Sequence, residues 1–256
     1  MARVAPIDLS ALAERDRDPA KNAVDAILSG GGEMVTGIAL VGEAVPPRRH
    51  PGPARLRLLV LLEQTHVATL TNLGRRLPAE VEVSLYATAE LPRAADVFAL
   101  ELAEQRARHL VLHGRVPYDR VHITSRLLRL GIERALRVGL QQLRAALWHE
   151  SLASQLEDVL RRLAVVAHQL PPVMGDEGLA GADADESALL RDLCARTEYD
   201  DRWVGLWASY RKTQRLESPV AIAGEVLTVL EQTLSMVDGY GAANGMASGP
   251  GESLVD

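Results

Sequence analysis

The sequence predicts an α+β chain: a mixed β-sheet with flanking helices, followed by an α-helical bundle. Three observations predict it. Short runs of aliphatic residues alternate with stretches of helical spacing as far as Gly114, as expected where helices cover a sheet. Beyond Pro117 only the helical spacing persists. The chain has 256 residues, of which 47% are hydrophobic, enough for a sizeable core. The expected organisation is a sheet domain over 1–117, a helical bundle over 118–240 and a disordered tail over 241–256.

Asp18 and Pro19 form a plausible N-cap and first helical residue for a helix to about Leu28, which Gly30, Gly31 and Gly32 should end. Val35 to Gly42 reads as a short buried strand. Arg55 to Glu63 alternates and then becomes wholly apolar, as a covered strand does. His66 to Leu77 has helical spacing, and Val81 to Ala87 alternates as a strand. Thr88 to Arg108 is expected to be helical in spite of Pro92, and His109 to His113 to be a short strand ended by Gly114.

In the second half, Leu128, Ile132, Leu136, Leu140, Leu143 and Leu147 make one stripe of a long helix. Ser154 and Glu157 suggest a capping box for the next helix, and Pro171-Pro172 its end. The acidic, Gly-rich stretch from Gly175 to Ser187 reads as a loop. Two shorter helices, near 187–197 and 201–214, precede a last helix from Ser218-Pro219 to about Val237.

Composition narrows the function. The net charge of −6 supplies no general cationic field for nucleic acid. Lys21 and Lys212 are the only lysines, and the arginine excess is read as the mark of a GC-rich genome. A single cysteine, Cys194, excludes an internal disulfide and a cysteine-built zinc cage. The first residues carry charges where a signal peptide needs an apolar core, and no apolar run reaches the roughly 20 residues of a membrane span. A cytoplasmic protein without a membrane partner is expected.

The order of segments carries a family resemblance over Val24 to Leu147. A strand ending in Gly (GIALVG) is followed by a variable loop and then by RLRLLV. The strand VEVSLYA, the segment DVFALELAEQRARHLVLHG and the helix LLRLGIERALRVGLQQLR come next. This resembles the kanamycin-type and minimal nucleotidyltransferases of the DNA polymerase β superfamily, in particular bacterial members. The resemblance implies a nucleotidyltransferase-like sheet. It also implies a Gly-Ser pair for the triphosphate after the first strand, an Asp-x-Asp on the second strand for metal ions, and a third carboxylate on the following strand. The matching positions here are Gly42 and Glu43, Arg55 and Arg57, and Glu82. An anion replaces the phosphate-binding serine, and two guanidiniums, which cannot ligate a metal, replace the acidic pair.

These positions imply a degenerate site with no catalytic residue, no metal ligand and no cofactor. Mg²⁺ and a nucleoside triphosphate enter only if the chain is active after all. The expected role is binding or assembly, with a second copy or a helical partner. Arg55 and Arg57 are expected to be solvated or paired with Glu43 and Glu82; the alternative has them binding a nucleotide phosphate or another anion in place of metal. A competing reading is an active transferase moving NMP to a small molecule or protein. Another is a HEPN-like ribonuclease using Arg161 or Arg162 with His168, although 26 arginines and 7 histidines produce such spacings by chance. His109 and His113 are expected on one strand face, without a third ligand for zinc. Trp203, Trp207 and Cys194 are expected to be core.

Overall fold

In a computed structural model, residues 9–47, 55–148, 151–176, 184–213 and 218–243 are described. The chain divides into two compact units, Met1–Ile123 and Thr124–Asp256.

The first unit is built on a four-stranded sheet of order β3-β2-β1-β4, with β1 at Val35–Val41, β2 at Leu56–Leu62, β3 at Val81–Ala87 and β4 at His109–Gly114. Strand β1 runs antiparallel to both β2 and β4, whereas β2 and β3 are parallel. The expected mixed sheet is therefore present, and it contains all four anticipated strands. Alternation along β2 sorts the side chains. Leu58, Val60 and Leu62 enter a core with helix α1 (Glu14–Gly31) and Leu73 of helix α2 (Val67–Arg76). Leu59 and Leu61 enter a second core on the opposite face, with Leu102 of helix α3 (Ala95–Ala107), Val116 and Tyr118. Each face of the sheet is thus covered by helices, which is what makes β2 apolar on both sides.

Several boundaries differ from expectation. Helix α1 begins a turn before Asp18, and Pro19 lies inside it on the exposed face; burial of Ala20, Ala23, Val24 and Ile27 holds the helix. The helix also runs into the glycine triplet and ends only at Gly32, at φ 57°. Thr88–Ala94 forms turns rather than helix, so Pro92 precedes α3 instead of interrupting it. A register shift between Ile38 and Ala39 inserts Leu112 as an extra residue in β4. His113 stands opposite Ile38 and His109 opposite Val41, whose side chains belong to opposite cores. The two histidines therefore do not share a face.

In the second unit the described residues form five helices: α4 (Ser125–Ala146), α5 (Leu152–Met174), α6 (Glu186–Arg196), α7 (Arg202–Thr213) and α8 (Pro219–Ala243). Leu128, Ile132, Leu136, Leu140 and Leu143 of α4 are buried as the stripe required, while Leu147 is exposed. Helices α4 and α8 are bridged by Arg137–Asp238 at 3.4 Å and Arg144–Glu231 at 2.6 Å. Both pairs advance by one heptad along each helix, in opposite directions, so the two helices lie antiparallel.

Helix α5 begins at Leu152 behind Ser151; Glu157 is engaged by arginines rather than in a capping box. The helix also passes through Pro171-Pro172, because Leu170, Pro171 and Val173 are buried, and it stops at Gly175 in the left-handed conformation. Most of the expected acidic loop, residues 177–183, lies outside the described residues. Helix α8 continues to Ala243, so the expected tail starts later, and 244–256 lie outside the described residues. Contrary to expectation, α8 is long and apolar enough to cross a membrane by length and composition. It nevertheless packs on α4, α5 and α7, and its Glu225 accepts from the Tyr199 hydroxyl at 2.6 Å.

Candidate functional site

The positions singled out by the resemblance come together at one end of the sheet. Strand parity places Arg55 and Arg57 on the same side as Leu59 and Leu61, the α3 side. Register completes a row across the sheet: Glu82 of β3 stands beside Arg57 of β2, Arg57 beside Val41 of β1, and Val41 beside His109 of β4.

Glu82 is held by both arginines. Its Oε1 lies 3.1 Å from Nη1 of Arg55 and its Oε2 lies 2.9 Å from Nε of Arg57. The side chains are 52%, 53% and 42% exposed for Arg55, Arg57 and Glu82, so solvent reaches all three. Glu82, one of the two acids expected to pair with them, is thus shared by both arginines.

Gly42 follows β1 at φ 78° and opens a short 3-10 turn through Ala44. A Cβ there would lie 3.3 Å from Cδ of Arg57, so the turn packs against the stem of that arginine. Glycine suits this left-handed backbone. Glu43 is half-buried in the same turn.

Arg108 and His109, the RH pair of the segment RHLVLHG, also act on this end of the sheet. Arg108 is buried and donates to the carbonyls of Val45, at 3.1 Å, and Pro47, fastening the chain that leaves the Gly42 turn. His109 packs against Tyr118 with ring centroids 4.6 Å apart and planes tilted by 52°, and its Nδ1 lies 3.0 Å from the carbonyl of Gln105. Burial pushes the Tyr118 phenol well above its ordinary range, with Tyr86 contributing. Sequence reasoning missed the role of Arg108. The available signal was an arginine at a helix-to-strand junction, where the side chain can reach the carbonyls of a neighbouring connection.

Among the described residues no group of three or more His, Cys, Asp or Glu side chains is arranged to hold a metal ion. Chemically, Arg55 and Arg57 hold a carboxylate here, and guanidiniums cannot ligate a cation.

In the second unit, the residues weighed for ribonuclease chemistry have other occupations. Arg161 donates to Glu157 and Asp158, and Arg162 donates to Gln142 at 2.7 Å. Nδ1 of His168 lies 3.1 Å from Nε2 of Gln169. Sequence reasoning also missed a buried polar network joining α5, α6 and α7. There, Nη1 of Arg211 is 2.5 Å from Glu157, its Nε is 3.6 Å from Glu186, and its guanidinium sits 5.6 Å from the ring centroid of Trp207. The Trp207 indole donates to Glu186 at 3.1 Å. Two i,i+4 pairs, Glu157 with Arg161 and Trp207 with Arg211, were its legible part. Trp203, Trp207 and Cys194 are buried as expected.

No family model matches the sequence, and no curated protein sequence is found similar to it. Among solved structures, the chain is similar to spectinomycin adenyltransferase from Enterococcus faecialis, crystallised with ATP and spectinomycin. The TM-score is 0.52 at 9% identity, over 84% of this chain and 99% of that one. The likeness is one of fold: a nucleotidyltransferase-like α+β architecture with a helical C-terminal region.

Proposed function

We propose that this chain is a nucleotidyltransferase-like binding module that transfers no nucleotide. The observation that carries the reading is the Arg55–Glu82–Arg57 cluster. The positions that the resemblance assigns to metal-binding carboxylates hold two guanidiniums and one glutamate, and that glutamate is already neutralised by both. A two-metal site needs several carboxylates around one point to hold its ions and polarise the phosphoryl group. Here two of the three positions carry the opposite charge, and Glu43 stands where the resemblance places a phosphate-binding serine.

In this reading the module acts in the cytoplasm through binding or assembly, with a second copy of itself or a helical protein partner. It is not a membrane protein or a general nucleic-acid binder. The alternative reading has Arg55 and Arg57 bind a nucleotide phosphate or another anion in place of metal.

The test is transfer of labelled NMP from each of the four nucleoside triphosphates to protein and small-molecule acceptors, with Mg²⁺ or Mn²⁺. Spectinomycin belongs among the acceptors because the similar structure is an adenyltransferase holding it. No transfer is expected. Robust transfer abolished by EDTA would overturn the reading in favour of an active enzyme.

A further inference from the structure

We infer that two copies of this chain pair through the outward face of α4, antiparallel and about a two-fold axis at Val138. This rests on the reading of the chain as an assembly module and gives that reading a surface.

A helix face turned to solvent is ordinarily polar. The core stripe of α4 is buried, and the helix packs on α5 and α8. Residues two positions from that stripe lie about 200° around the helix, on its opposite side. There stand Leu130, Val138 and, in the turn that ends the helix, Trp148, which are 42%, 36% and 86% exposed. Trp148 is the most exposed large apolar side chain among the described residues. Leu127 and Gly131, half-buried, and Ala145, exposed, continue the same side. Arg134 and Gln141 are its polar residues, and Arg134 is its one charge.

This face is complementary to itself. In an antiparallel pair about Val138, each residue stands level with one equally far on the other side of the axis. Trp148 of one copy then reaches Leu127 and Gly131 of the other, where the glycine leaves room for the indole. Ala145 comes level with Gly131, so small residues let the helices approach. Arg134 meets the Gln141 amide, which can accept from it, rather than a second arginine. Like flanks meet in such a pair, so Glu133 of one copy comes beside Arg144 of the other, with opposite charge. Arg137, the flank charge nearest the axis, is balanced within its own copy by Glu133 at 2.8 Å and Asp238 at 3.4 Å. A foreign helix would have to reproduce this order of large, small and charged positions; a second copy already has it. Cover one helix wide and about 33 Å long makes a small interface, so the dimer should dissociate at about 1–100 μM.

The experiment is analytical ultracentrifugation of the full chain across that range, with tryptophan emission followed on dilution. A monomer–dimer equilibrium is expected. Emission should shift to the red on dilution through Trp148, since Trp203 and Trp207 are buried within each copy. Val138→Glu sets two carboxylates face to face at the axis and should weaken pairing by about 10-fold or more, and Val138→Lys likewise. Mixed in equal amounts, these two variants should pair with each other, because a residue on the axis meets its own counterpart. Trp148→Ala should weaken pairing by about 10-fold or more. Circular dichroism of the dilute variants, matching the unmodified monomer, separates lost pairing from lost fold. A chain that stays monomeric to about 0.5 mM overturns the proposal. So does a dimer that Val138→Glu leaves intact, which places the interface elsewhere, or a failure of the Glu and Lys variants to pair when mixed. EDTA-sensitive nucleotidyl transfer would sink the reading of an inactive module and leave these association measurements unchanged, so the two failures are distinguishable.

Discussion

Arg57 and Glu82 stand side by side on parallel strands, with Nε of the arginine 2.9 Å from Oε2 of the glutamate. Half-exposed pairs of this kind contribute only about 0–1 kcal/mol to folding. Stability is therefore a weak reason for two arginines to share one carboxylate at the end of the sheet. What the cluster does set is the chemistry of these positions: two guanidiniums hold one carboxylate where the resemblance would place acids.

The buried network of the second unit concerns stability more directly. Arg211 joins Glu157 of α5 and Glu186 of α6 from its own position on α7. Removing one partner of such a network leaves buried charge uncompensated. Arg211→Met should cost about 3–5 kcal/mol in urea unfolding. A loss below about 1 kcal/mol would show that water readily replaces the arginine there.

Helix α4 offers a contrast in the cost of small changes. Leu136 is 1% exposed, and Leu136→Ala should cost about 2–5 kcal/mol through lost burial and the cavity left behind. Negligible destabilisation would mean that this face is not core.

Gly139 and Gly37 should respond in opposite directions to alanine. A Cβ on Gly139 would find its nearest neighbour, Leu230, at 3.5 Å, which is ordinary contact. Gly139→Ala should then stabilise the chain by about 0.5–1 kcal/mol through helix propensity. A Cβ on Gly37 would meet the Arg115 carbonyl at 2.4 Å, so Gly37→Ala must push β1 away from the chain leaving β4. Thermal melts of both variants decide it; a stable Gly37→Ala would show that this sheet edge yields easily.

Legibility from sequence followed the physics of each feature. All four strands were legible, because covered strands are apolar and half-covered ones alternate. The shared face of Arg55 and Arg57 was legible for the same reason, since parity alone sets it. The sharing of Glu82 by both arginines depended on the parallel register of β2 with β3, which no local pattern encodes. The separation of His109 from His113 depended on one extra residue, Leu112, in β4. Arg108 was illegible because its partners are main-chain carbonyls, present at every residue. Pro171-Pro172 misled because proline is a local stop signal, and here tertiary burial of Leu170 and Val173 outweighs it.

Alkaline pH should weaken the fold through groups that burial keeps protonated. Burial pushes the Cys194 thiol up to about 11 and the Tyr118 phenol upward as well. Between the unfolded thiol's ordinary range and about 11, the unfolded chain has lost the proton that the folded chain retains. The folded state binds more protons in that window, so stability falls as pH rises through it and is fully present below it. Melting temperatures should decline between about pH 9 and 11. The decline should be shallower in Cys194→Ala, whatever its stability at neutral pH. An identical slope in that variant would exclude Cys194 as a contributor.

Reversing the charge of the two arginines should create metal affinity without activity. In the double substitution Arg55→Asp with Arg57→Asp, strand parity keeps both new carboxylates on the α3 side, and the register keeps Glu82 beside the second. Three acids would then surround one point in place of two cations and one acid. Without metal they repel, and the melting temperature should fall below that of the unmodified chain. Mn²⁺ or Mg²⁺ should restore it in the double variant and leave the unmodified chain unaffected, since only the former binds. Nucleotidyl transfer should stay absent, because Glu43 still occupies the turn where a triphosphate would need a donor. A melt in which Mn²⁺ stabilises both proteins equally would show that the metal binds elsewhere. Transfer by the double variant would show that Glu43 is no obstacle, and that Arg55 and Arg57 alone separate this fold from catalysis.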